Sequence, residues 1–427
     1  MSVEQDNFLE NKADVLYVIM GTNPFPNIIS AVTRLKNDGR IICICTDETA
    51  EYPYERFRKL IVTKNITNKV EKIVIRDKSY MGSIKDALVK KLDETLKEGN
   101  NINLLELNYN GGTKVMSSAA YDVVKNYDYK KRDTDVNLTY IDPEREFIYC
   151  EYKRKNKQDF NHFSKKLSEL NGCCDLSVMD IVCTYLDADM IRFDKIKYKS
   201  KMNELSNKLG DLVANMKNDD EYNKVIIFIK SLYCLSKKYN KASEEFKNEL
   251  NGLFRNCSEM KDYIDINSLG FDSSKDMFNY FKKTEWLEEY ILNILVELKG
   301  EAIIDDALSN ITKKYDDSNK DEFEVDLVAY RKYKIFAISV TSESDTEVAK
   351  KKLYEIKQRA KYLAGDESGI CFINLCWNVK QIEDEYKNIW DDFTTKNTLI
   401  LGAQDFHNLK AKLKEWIMGG VRSGMQC

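Results

Sequence analysis

Histidine is almost missing from this chain, with 2 in 427 residues, His162 and His407. A zinc centre of the usual histidine and cysteine ligands is therefore disfavoured. Cysteine is plentiful at 11, but no two stand in a C-x-x-C pair, and two (Cys173 and Cys174) are adjacent. They read as reduced thiols of a cytoplasmic protein. Only 4 prolines and 17 glycines accompany a 43% hydrophobic content, which argues for an element-dense fold rather than disorder. No apolar run reaches membrane-spanning length and residues 1–14 are polar rather than signal-like, so we expect no membrane association. A surplus of one charge is missing too. The 66 basic and 70 acidic residues leave a net charge of −4, so any nucleic-acid contact must come from a local patch. The length allows two or three domains with cores of their own.

From Asp14 to Tyr152, short apolar runs alternate with amphipathic stretches. Val15–Met20, Ile41–Cys45, Val70–Ile75 and Ile102–Leu107 read as strands, and Ile28–Leu35, Met81–Lys97 and Met116–Asn126 as helices. Val136–Ile141 and Glu146–Tyr152 flank the turn signal Asp142-Pro143-Glu144-Arg145 and predict an antiparallel pair. Such alternation predicts a mostly parallel sheet covered on both faces. Between Lys153 and Lys283 the strand signal fades. Lys201–Met216, Glu221–Lys238 and Ala242–Phe254 predict helices with solvated, lysine-rich faces. The last third returns to α/β. It runs from a helix at Glu285–Leu298 through strands at Glu301–Ile304, Phe323–Tyr330 and Tyr333–Thr341. A helix at Glu347–Leu363 and a strand at Gly369–Leu375 follow, then a helix at Val379–Asp391, a strand at Thr398–Leu401 and a helix at Gln404–Trp416. We expect domains at 1–152, 153–283 and 284–427.

Two loops stand at the carboxyl ends of predicted strands, where parallel sheets bind ligands. One is Gly21-Thr22-Asn23-Pro24; the other is Asn108-Tyr109-Asn110-Gly111-Gly112-Thr113-Lys114. Glycines let the backbone approach a ligand closely, and amides at a helix start favour anions. Thr113 and Lys114 add a hydroxyl and a point charge suited to phosphate or ribose. Neither loop is a G-x-G-x-x-G or a G-x-x-x-x-G-K-[ST] sequence, so a dinucleotide or ATP site is not indicated. Taken alone, Gly21 and its neighbouring prolines need do no more than shape a tight turn.

The Gly21-Thr22-Asn23-Pro24 loop and the Asn110-Gly111-Gly112-Thr113-Lys114 motif, followed by Met116-Ser117, resemble those of CARF domains, the cyclic-oligoadenylate sensors of type III CRISPR systems. The form is similar to the Can2 and Card1 group, whose members append a PD-(D/E)xK nuclease domain. The resemblance implies a Rossmann-like CARF domain and a restriction-endonuclease-like α/β C-terminal domain, and it leaves the helical middle region between them without counterpart. It further implies that Gly21, Thr22, Asn23, Asn110, Gly111, Gly112, Thr113 and Lys114 line a messenger pocket. The ligand would be cyclic tetra-adenylate or a related ring, and two copies would share it as a homodimer. Trp286-Leu287-Glu288 and Glu324-Val325-Asp326 resemble the nuclease motifs. Glu288 and Asp326 are then candidate ligands for Mg²⁺ or Mn²⁺, with Glu324 assisting, and DNA or RNA as substrate.

The next strand departs from that pattern. Ile338-Ser339-Val340-Thr341-Ser342 stands where the family carries Ile-Glu-Cys-Lys-Thr, so Ser339 and Thr341 replace a carboxylate and a lysine. Three readings stay open. The missing groups have moved, to Glu343 and to Lys351 or Lys352; or the domain is a nuclease fold kept for binding; or the pocket serves another reaction. A HEPN ribonuclease, which needs an arginine four to six residues before a histidine, is excluded at both His162 and His407. A helix-turn-helix regulator lacks a basic recognition helix.

Overall fold

A computed structural model describes the chain outside residues 1–7, 9–10, 98–101, 130–133, 143–144, 156, 158, 171–175, 195–199, 217–218, 240–242, 264–270, 272–273, 283, 315–320, 333, 343–345, 366, 376–378, 390–396 and 420–427. The chain forms two compact units, Met1–Ala188 with Tyr362–Glu367, and Asp189–Lys361 with Ser368–Cys427. Residues 153–188 thus belong to the first unit and 189–283 to the second.

In the first unit, strands β1 (Ala13–Ile19), β2 (Leu35–Thr46), β3 (Val70–Ile75), β4 (Leu104–Asn108) and β5 (Asp135–Asp142) pair in parallel, in the order β3-β2-β1-β4-β5. The predicted hairpin partner β6 (Phe147–Lys153) pairs antiparallel with β5, and β7 (Asn161–Lys166) extends the edge. The turn signal itself falls partly on residues 143–144, outside the described residues. Helices α1 (Phe25–Arg34), α2 (Tyr52–Thr63), α3 (Met81–Lys97) and α4 (Lys114–Asn126) join the parallel strands. β1 is apolar on both faces because helices cover both. On one face Tyr17, Ile19, Leu105 and Leu107 pack against Ile84 and Leu88 of α3 and Met116 and Ala120 of α4. The chain builds outward from β1 to β3, then returns to lay β4 on the other side of β1. The crevice between β1 and β4 is therefore the sheet's switch point.

Two elements here escaped the sequence reading. α2 buries Tyr54, Phe57, Leu60 and Ile61, a helical stripe diluted by the charged residues between them. β7 is a polar edge strand whose one apolar side chain, the half-buried Phe163, packs on Phe8 and Tyr152, so its hydrophobic signal is weak.

The second unit's sheet runs β13-β12-β11-β10-β9-β8. β8 (Ile191–Asp194), β9 (Asp306–Lys314), β10 (Asp321–Arg331) and β11 (Lys334–Thr341) form an antiparallel meander. β12 (Gly369–Asn374) and β13 (Thr398–Leu401) then add in parallel. The expected strand at Glu301–Ile304 is instead a turn. There Ala302 takes φ +57° and the Ile303 amide folds back on the Leu298 carbonyl, so pairing begins only at Asp306. β8, a four-residue edge strand, is too short to announce itself in a helical region.

Helices α5 (Val178–Tyr185), in the first unit, and α6 (Ser200–Ala214), α7 (Asp219–Lys238), α8 (Glu244–Arg255) and α9 (Ser274–Lys282), in the second, realise the expected helical stretch. They are followed by α10 (Glu285–Gly300), α11 (Thr346–Ala364), α12 (Val379–Ile389) and α13 (Leu409–Ile417). Leu205, Leu209, Phe246, Phe254 and Phe281 share one core with Trp286, Leu287 and Leu295 of α10.

Candidate functional sites

At the switch point of the first sheet, the two loops singled out by sequence touch each other. A β carbon built on Gly21 would lie 2.9 Å from the Gly112 amide nitrogen, and one on Gly111 only 1.8 Å from the Ile19 carbonyl oxygen. Gly112 adds a φ of +74°, which a side chain resists. The three glycines are thus explained first by loop-against-loop packing.

Asn110 is also committed to the fold. Its amide nitrogen donates to the Ile141 carbonyl (2.5 Å) and its oxygen accepts from the Ile141 amide (2.6 Å), pinning the turn to the end of β5. Thr113 caps α4 by accepting from the Met116 amide at 3.2 Å. Asn23 accepts from the Tyr185 hydroxyl (2.5 Å) and the Phe25 amide (3.0 Å), and donates to Glu367 at 2.6 Å. Thr22, Gly112, Thr113 and Lys114 are exposed. The surface offered is therefore the Thr22 and Thr113 hydroxyls, the Lys114 ammonium and the positive end of α4, all with an affinity for anions.

Tyr185 and Glu367 carried no sequence signal, since they reach Asn23 only through folding. Nor did the stacking of Tyr109 on Tyr140, with ring centroids 5.6 Å apart.

In the second unit, the pairing of β10 with β11 ends at Leu327 and Ile338. Asp326 is the next residue along, and its carboxylate takes over where the ladder stops. Its Oδ2 accepts from the Val340 amide at 2.7 Å and from the Ser339 hydroxyl at 3.0 Å. Glu288 comes from the first turn of α10. Burial, then the charges of Asp326, Glu324 and Glu285, holds its carboxyl well above the usual range, while Lys352 pulls the other way. Burial also raises Asp326, against the Val340 amide, the Ser339 hydroxyl, Lys352 and Arg359. Glu324 is exposed on the same strand, and its carbonyl accepts from Arg359 at 2.8 Å.

Glu288, Asp326 and Glu324 are therefore brought into one electrostatic neighbourhood. Among the described residues no group of three or more His, Cys, Asp or Glu side chains is placed to hold a metal ion. Glu343 lies outside the described residues. The donor set is two half-buried carboxylates that repel each other. That suits a small hard cation, which takes one or two protein carboxylates and fills its shell with water and substrate phosphate.

Together these features define a two-unit α/β protein with an anion-friendly crevice on one sheet and a carboxylate pair on the other. No protein-family model matches the chain, and no curated protein sequence is similar to it. Solved structures share its architecture almost from end to end. Protein VC1899 from Vibrio cholerae superposes with a TM-score of 0.69 at 15% identity, over 95% of this chain and 99% of that one. Can2 from Sulfobacillus thermosulfidooxidans, solved in complex with cyclic tetra-adenylate, superposes with a TM-score of 0.61 at 16% identity, over 95% and 97%. At these identities the likeness establishes the fold, and the expected α/β class, with a Rossmann-like first sheet and a second mixed sheet, is borne out. No helix among the described residues is long and apolar enough to cross a membrane.

Proposed function

We propose that the chain is a cytoplasmic effector of type III CRISPR antiviral defence, activated by a cyclic oligoadenylate. In this reading two copies form a homodimer whose Gly21 and Gly111-Gly112 loops together enclose cyclic tetra-adenylate. The observation that carries it is the meeting of those loops at the switch point, in a fold shared along its length with Can2. Lys114, the Thr22 hydroxyl and the α4 amides supply donors for the ring's phosphates. The glycines keep the crevice floor thin, so that backbone can approach the ligand.

The effector half is a metal-dependent nuclease acting on DNA or RNA. Glu288 and Asp326 would hold Mg²⁺ or Mn²⁺, which supplies Lewis-acid polarisation and an activated water when bound. The raised Glu288 carboxyl favours this: a carboxylate pair held against its own repulsion gains most from a cation. The Ser339 hydroxyl and the Val340 amide fix the orientation of Asp326 through its Oδ2. Glu324 stands close enough to add negative potential.

The test is incubation of the purified protein with cyclic tetra-adenylate, Mn²⁺ and single-stranded or supercoiled nucleic acid, alongside Asp326→Ala. We expect messenger-dependent cleavage by the unmodified protein and a loss of about 10²-fold or more in the variant, whose messenger binding by calorimetry stays intact. Absence of messenger binding would remove the sensor assignment.

A second reading is favoured by one observation: Ser339 and Thr341 place no charge where a nuclease strand carries two. It makes the second unit a binding module, and it predicts messenger binding with no cleavage under any of these conditions.

A further inference from the structure

The carboxylate site contains only acids on β10 and α10, yet cleaving a phosphodiester builds negative charge on the phosphate. Hydrolysis forms a bond from the water oxygen to phosphorus and breaks one ester P–O bond. One water proton ends on the departing oxygen and the other goes to the new phosphate or to solvent. A cation beside the phosphate stabilises the charge that accumulates between those events.

Three consecutive lysines, Lys350, Lys351 and Lys352, stand in the second turn of α11, and helical geometry sends them in different directions. Lys350 is paired with Glu347 at 2.9 Å and Glu385 at 2.5 Å. Lys351 is exposed. Lys352 turns toward the sheet, where its Nζ donates to the Thr341 Oγ1 at 3.0 Å. Thr341 is buried at 1% exposure, so this bond anchors the ammonium against the strand rather than in solvent. The lysine's charge is felt at both Glu288 and Asp326. Arg359 is occupied with the Glu324 carbonyl and Glu355.

We propose that Lys352 supplies the catalytic cation of the carboxylate site and that Thr341 positions it. Resting on the nuclease reading above, this assigns its missing charge. It also gives the two small residues of β11 a shared purpose. Ser339 donates to Asp326, and Thr341 receives Lys352. A lysine at 341 would meet the ammonium already there, and a glutamate at 339 would face the Asp326 carboxylate across about the present 3.0 Å.

The experiment compares the unmodified protein, Lys352→Met, Lys352→Arg and the relocated pair Thr341→Lys with Lys352→Thr. Cleavage with cyclic tetra-adenylate and Mn²⁺, Mn²⁺ affinity by calorimetry, and thermal melting are read for each. We expect Lys352→Met to lose about 10²-fold in cleavage while its Mn²⁺ affinity holds or tightens, because a competing positive charge has gone. Lys352→Arg should retain part of the activity, and the relocated pair should regain at least about tenfold over Lys352→Met. Lys352→Met cutting as fast as the unmodified protein would overturn the assignment while leaving the nuclease intact. So would cleavage, Mn²⁺ binding and melting temperature all falling together, which is what a structural brace does. An unmodified protein that cuts neither DNA nor RNA overturns the nuclease reading itself, and Lys352 with it.

Discussion

Gly111 has no room for a side chain, because the space a β carbon would take is filled by the Ile19 carbonyl. Gly111→Ala must separate the two loops, and we expect a loss of about 1–3 kcal/mol in stability together with at least tenfold weaker messenger binding. Denaturant melts and calorimetry read the two effects. Binding at full strength would mean that the loops need not touch to hold the ligand.

A second residue-scale prediction concerns Glu289, which is buried beside Tyr280 and has one carboxyl oxygen without a hydrogen-bond partner. Burial raises it from 4.5 to about 7, with Glu285 adding to the rise and the Tyr280 hydroxyl opposing it. The folded chain then holds this proton more tightly than the unfolded one. Its cost is absent below pH 4.5, grows as pH rises toward 7 and is constant above. Stability should fall by about 3 kcal/mol across that window on this account. Glu289→Gln should flatten the decline in urea melts run from pH 4.5 to 8. The adjacent Glu288 was readable as a candidate ligand from its motif. Glu289 was not readable as a titrating core residue, since that depends on what α9 places over it.

At the scale of elements, α1 is held to β4 by a buried ion pair. Arg34 and Glu106 are both 0% exposed with N and O atoms 3.0 Å apart. Asn137 and Thr139 of β5 complete the carboxylate's hydrogen bonds. Arg34→Met leaves that charge buried and unpaired, so we expect a loss of about 3–5 kcal/mol, partly recovered by adding Glu106→Leu. A double-mutant cycle by chemical denaturation measures it. Single losses that simply add would show that the pair is not coupled.

Most elements were legible because burial on a parallel sheet writes continuous apolar runs, as in β1, and amphipathic helices write a 3.6-residue period, as in α3 and α4. The exceptions among the strands have two causes. β7 and β8 are edge strands, where one side needs no apolar partner, and Glu301–Ile304 has strand composition but is used to end α10. Local composition states what a segment tolerates, and the neighbouring elements choose.

At the scale of the whole molecule, each unit has its own sheet. A ligand stabilises the state that binds it. At a hundredfold excess over its dissociation constant, cyclic tetra-adenylate should add about 2.7 kcal/mol to the first unit's stability, and Mn²⁺ likewise to the second's. Scanning calorimetry should show each ligand raising a melting transition, with the Mn²⁺ effect lost in Asp326→Ala. A melt unmoved by the messenger would count against the sensor.

By itself the sequence determined the alternation of elements and the two loops after β1 and β4, which are written in the local spacing that periodicity and turn chemistry dictate. Glu288, Asp326 and Glu324 became candidates through their resemblance to the nuclease motifs. Only the tertiary structure decided that the glycines serve loop against loop and that Asn110 and Asn23 already have partners. It alone turned Lys352, rather than Lys351, toward Thr341. Those outcomes depend on contacts between residues from 11 to 344 positions apart in the chain, and such contacts exist only once the sheets have formed.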